Sequence, residues 1–135
     1  MSPKMIGGKY ARNEEPAVLR SEAAGFAWEC YAQEGAAVAS AKSSRRGEEA
    51  ELRNRLRLAM EELGRAVNAE GGVIGHIKAA VDVHTLTAYS LTWDTVNETR
   101  AEGCDMEIDA AAIVYGVSAE RLLEMARDCF AKAFG

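Results

Sequence analysis

The chain has 135 residues, enough for one domain and too few for two of ordinary size. It is 48% hydrophobic and 27% charged, which excludes a disordered polyelectrolyte, and no run of uncharged apolar residues is long enough for a membrane-spanning helix. The net charge is −5 and is carried by the C-terminal half: residues 71–135 hold ten acids against five bases, a balance that disfavours nucleic acid and suits a protein partner with a basic surface.

Residues 1–13 lack the apolar core of a secretory signal and read as a flexible tail, which leaves 14–135 as a single α+β domain. Cys30, Cys104 and Cys129 are odd in number and have no C-x-x-C spacing. Reduced thiols in a cytoplasmic protein follow, rather than a disulfide framework or a four-cysteine zinc site.

Glu14-Glu15-Pro16 has the chemistry of a helix start, and the alanine-rich stretch to Ala41 places Leu19, Ala23, Phe26, Cys30 and Ala37 near helical spacing. Gly25 and Gly35 weaken that helix by about 1 kcal/mol each relative to alanine. Ser43-Ser44-Arg45-Arg46-Gly47 is a polar break. From Glu48 to Glu70 the stripe Leu52, Leu56, Ala59, Leu63, Ala66 recurs at steps of four and three, which predicts an amphipathic helix capped by Gly71-Gly72. The two predicted helices form an antiparallel hairpin.

The period then changes to two. Val73, Gly75, Ile77, Ala79, Val81 and Val83 alternate with Ile74, His76, Lys78, Ala80 and Asp82, a half-buried strand. Thr85–Trp93 predicts a second strand, with Tyr89, Leu91 and Trp93 on one face, hairpinned to the first near residues 82–86. Residues 94–104 are polar and read as a loop. A third strand covers 105–115, and Ser118 caps a final helix bearing Leu122, Leu123, Ala126, Phe130 and Phe134. The predicted order is α-α-β-β-β-α: an N-terminal helical hairpin, a three-stranded mainly antiparallel sheet and a C-terminal helix.

Candidate sites follow from that frame. Asp105, Glu107 and Asp109 would line about 14 Å of one strand face, oxygen ligands of the kind that hold Mg²⁺ or Ca²⁺; apart from this divalent cation no cofactor is expected. His76, Lys78 and Tyr89 are the polar groups a small ligand would meet on the sheet face. His76 and His84 stand eight residues apart, about 26 Å along a strand, too far to share an ion within one chain. Gly71-Gly72-Val73-Ile74-Gly75 follows a helix and opens a strand, the reverse of a phosphate loop. The basic cluster of Arg45, Arg46, Arg53, Arg55 and Arg57 is diluted by Glu48, Glu49 and Glu51. No Ser-His-Asp or Cys-His set assembles. Phe26, Trp28, Tyr31 and Val38 spread around the first predicted helix, which predicts a homodimer interface there. The resulting expectation is a non-catalytic accessory or interaction protein. The alternative is a small-ligand or metal-binding module, with a small enzyme or a nucleic-acid regulator ranked below both.

Overall fold

Ala24 and Gly25 turn the chain where the sequence predicts helix, and that reversal changes the architecture. The computed structural model describes residues 17–135, so the tail expected at 1–13 lies outside the described residues. β1 (Leu19–Ala23), β2 (Phe26–Gln33) and β3 (Ala36–Gly47) form an antiparallel meander. Its two connections, Ala24-Gly25 and Glu34-Gly35, have both residues at positive φ (53° and 81°, 52° and 82°). That is the tight turn whose twist matches paired strands, and glycine takes its second position without steric penalty.

α1 (Glu49–Ala69) begins at Glu48, whose carboxylate accepts from the Glu51 amide at 2.9 Å, and ends where Gly71 and Gly72 donate to the carbonyls of Asn68 and Val67 at 3.0 Å. β4 (Val73–His84) follows, then β5 (Thr87–Thr92), β6 (Thr95–Arg100), β7 (Cys104–Tyr115) and α2 (Ala119–Phe134). Ser118 caps α2 by accepting from the Arg121 amide at 3.1 Å. The order is therefore β-β-β-α-β-β-β-β-α, mainly β, and the predicted α-α-β-β-β-α order is incorrect: its first helix is three strands, and its three-stranded sheet is part of a larger one.

The main sheet runs β1-β2-β3-β7-β4, antiparallel throughout. β3 and β4 are thus parallel to each other, with α1 crossing over between them and β7 inserted in the gap. β4 pairs with β7, not with β5; β5 pairs instead with β6, and the residues read as a loop supply β6. The two pairings are nested, so β5–β6 projects beyond the end of β4–β7 as a two-stranded arm.

Both helices cover one face of the sheet, α2 over β1, β2 and β3, and α1 over β4 and β7. The helix stripe Leu52, Leu56, Ala59, Leu63 is buried as its spacing predicts. Opposite it, Met106, Ile108, Ala110, Ala112 and Val114 are buried on β7, and Phe26, Trp28 and Cys30 on β2. The aromatic rings interlock with α2: Phe26 lies 5.1 Å from Phe130 and 5.0 Å from Phe134, and Trp28 lies 5.0 Å from Phe130, centroid to centroid.

Candidate functional site

The face of the sheet without helices is open. Asp105, Glu107 and Asp109 do share it on β7, but each stands opposite a β3 residue of complementary chemistry. Arg46 meets Asp105 at 2.7 Å, the Ser44 hydroxyl donates to Glu107 at 2.7 Å, and Lys42 meets Asp109 at 2.8 Å. The hydrogen bond to Asp109, with its negative charge, pushes the Lys42 ammonium pKa upward. The acidic face is thereby largely neutralised across the strand pair. No group of three or more His, Cys, Asp or Glu residues suited to a metal ion occurs among the described residues.

On its other flank β7 meets β4, with Glu107 opposite Asp82 and Asp105 opposite His84. The His84 Nε2 lies 3.4 Å from Asp82. His76 and Lys78 share this open face, opposite Ile113 and Ala111. Tyr89 does not join them, because it lies on the arm, in a different sheet. The expected ligand trio is thus split between two sheets.

A groove of about 720 Å³ crosses the open face. Its floor is made of small side chains, Ala27, Ser40, Ala80 and Ala111, and its rim carries Arg20, Glu29, Lys42, Lys78 and Asp109. Arg20 and Glu29 pair at 3.2 Å, so the rim charges are mostly satisfied by each other.

The interface expected at Phe26, Trp28, Tyr31 and Val38 has no helix to present it. Phe26 and Trp28 are 0% and 2% exposed in the core, while Tyr31 and Val38 pair with each other on the open face, half-buried. The basic cluster is likewise engaged inside the molecule. Arg45 donates to the carbonyls of Ala24 and Phe134, Arg55 donates to Ala133 at 3.1 Å, and Arg53 and Arg55 pair with Glu49 and Glu51 one helical turn away. Cys30 and Cys104 are buried and Cys129 half-buried. Burial pushes the Cys30 thiol up to about 12 and raises that of Cys129, the latter with help from Glu62 and Asp128. Both shifts disfavour the thiolate that a nucleophile requires.

The sequence places Tyr89, Leu91 and Trp93 on one strand face, but not the second strand of the arm with Val96, nor the exposure of the whole face. Leu86, Tyr89, Leu91 and Val96 are 63–68% exposed and Trp93, at the tip, is 95% exposed. Leu91 pairs with Val96, and Tyr89 stands two positions along on the same face, so these side chains form one apolar surface. Among the described residues no helix or other strand covers it. Trp93 also has φ of 62°, a conformation natural to glycine and uncommon for a bulky side chain. The signal lay in the β-branched residues Thr95, Val96 and Thr99 within the polar stretch, which match Thr92, Leu91 and Ala88 in the opposite strand.

Comparison with protein-family models, with curated proteins and with solved structures returned no match.

Proposed function

We propose that this protein is an interaction module whose binding element is the β5–β6 arm, and that its partner is a protein offering an apolar cleft. The observation that carries the reading is Trp93. It occupies a backbone position that glycine would fill without strain, and its side chain is almost wholly in water. An exposed aromatic ring on a strained backbone position adds nothing to the stability of the free chain and fits a contact residue. The surrounding Tyr89, Leu91 and Val96 extend the anchor into a patch, and such patches mark interfaces. An isolated two-stranded ribbon is marginally stable in water, so a partner that covers it also orders it.

The experiment places a photo-crosslinking phenylalanine analogue at position 93 in the full chain, expressed in its native cell. The expected result is one discrete protein adduct, lost when Leu91 and Val96 are both replaced by serine. Adducts to lipid alone, or a protein adduct indifferent to those substitutions, would overturn the reading.

A second reading is supported by the groove on the open face. Its volume of about 720 Å³ lies within the range of small-molecule sites, and a floor of alanines leaves room for an apolar ligand.

A further inference from the structure

We infer that two copies of this chain join along the outer edge of β4, antiparallel about a two-fold axis at Ala80, so that their sheets become one continuous sheet. This goes beyond the arm reading and uses a different surface.

β4 is a terminal strand of 12 residues, and no strand pairs with its outer side among the described residues. Such an edge is a template for pairing unless bulges, proline or inward-pointing charges blunt it. The register irregularity of β4 lies between Ile74 and His76, and His76–His84 then runs on without proline. The helix-side row of this edge is Ile77, Ala79, Val81 and Val83, with no charge in it, and all four remain half-exposed. Their counterparts on β7, from Met106 to Ala112, are buried. α1 packs over β4 as well as β7 but covers this outermost row only in part, so an apolar strip stays accessible along the free edge.

The side chains select the register. Pairing about Ala80 sets Ile77 against Val83 and Ala79 against Val81 of the second copy on the helix side. On the open side it sets Lys78 against Asp82, twice by symmetry. Centring on Lys78 or Asp82 would oppose like charges, and a one-residue slip would turn apolar side chains to water. The charge pairing also meets a need within each chain. Asp82 already stands opposite Glu107 on β7, and Lys78 has no ion-pair partner among the described residues. The second copy's Lys78 brings a cation to that carboxylate pair.

The test is sedimentation velocity on the full chain over a range of concentrations. Wild type is expected to dimerise. Lys78→Glu and Asp82→Lys, both at exposed positions, are each expected to weaken the dimer roughly tenfold or more, because each sets like charges opposite one another twice. The double variant Lys78→Glu/Asp82→Lys restores the pairing with reversed polarity and should recover most of the affinity. Ala80→Cys should cross-link into a covalent dimer on mild oxidation, since directly opposed residues bring their Cβ atoms within about 5 Å; Asp82→Cys should not. A wild-type monomer at every concentration, or a dimer indifferent to both charge reversals, overturns the inference. So does a dimer abolished by Leu91→Ser/Val96→Ser yet intact in the charge variants, a result that would assign self-association to the arm.

Discussion

The Arg45 guanidinium lies 4.9 Å from the Phe134 ring centroid, so a charged side chain of β3 closes the end of the aromatic core. It also donates to the Phe134 carbonyl at 3.4 Å and to the Ala24 carbonyl in the β1–β2 turn. One arginine therefore ties the end of α2, the first turn and the centre of the sheet together. Burial, with Arg55 nearby, lowers its pKa without taking it out of the charged state at neutral pH. Arg45→Met keeps the stem and removes the charge and its donors. It is expected to lower stability by about 2 kcal/mol in urea unfolding, with an unchanged denaturant slope.

The same arginine distinguishes two glycines with nearly the same backbone. Gly25 and Gly35 have φ of 81° and 82°, but a Cβ at Gly25 would collide with the Arg45 guanidinium, whereas Gly35 has nothing within 4 Å. Gly35→Ala is expected to cost about 1 kcal/mol for its φ alone, and Gly25→Ala more. In the Arg45→Met background the two alanine variants should converge, as thermal unfolding can check. Equal costs in the wild-type background would contradict the Arg45 placement.

The thiols give a pH prediction. An unfolded cysteine loses its proton near 9.0, and Cys30 in the fold keeps its proton to about 12. Between those values the unfolded chain is ionised while the folded chain is not, so stability falls as pH rises through that window. Cys30→Ala removes this contribution, and its stability should decline less over the same range than that of wild type. At neutral pH a thiol reagent should modify half-buried Cys129 first, with Cys30 and Cys104 following only on unfolding.

Hydrogen exchange should divide the nested ribbons. Amides of residues 87–100 are expected to exchange far faster than those of β7, because the arm has no core beneath it. Trp93→Gly relieves the positive φ at the tip, so it should leave global stability unchanged or slightly raised. A clear loss of stability would mean that Trp93 is a structural residue.

An apolar dye, anilinonaphthalene sulfonate, separates the arm from the groove. Ala111→Trp fills the groove floor, while Leu91→Ser/Val96→Ser strips the arm. Dye fluorescence is expected to drop with the arm variant if the arm is the main apolar surface, and with Ala111→Trp if the groove is.

Legibility in the sequence followed how strongly one period dominated. α1 and α2 are readable because Leu52 to Leu63 and Leu122 to Phe134 keep helical spacing between clear caps. β4 and β7 are readable because their alternation runs for 12 residues. β1 to β3 were obscured by alanine, whose helix propensity outweighs its weak strand signal. The better evidence was the alternation of Phe26, Trp28 and Cys30 and of Ala37, Ala39 and Ala41 beside two X-Gly pairs, which makes turns of glycines that otherwise count as helix defects. Alternation alone puts Asp105, Glu107 and Asp109 on one strand face, but their neutralisation is not readable, because Lys42, Ser44 and Arg46 meet them only through a long-range register. Phe26 and Trp28 are apolar because they sit in the core under α2, whereas Tyr31 and Val38 face the open side of the sheet, so the four do not form one interface.

The insertion of β7 between β3 and β4 has a consequence for how the molecule assembles. The β1–β2–β3 meander closes through neighbours in sequence, at small entropic cost. β3 and β4 cannot be joined by one another, since β7 occupies the gap and is the last strand in the chain. During synthesis both strands therefore wait with bare edges until Tyr115 has emerged. Closure of the sheet then occurs in one late, non-local step, and a nascent chain stalled before Cys104 exposes two unsatisfied strand edges prone to aggregation. β7 acts as a keystone, and its arrival, rather than the formation of either helix, sets the pace at which this fold becomes safe.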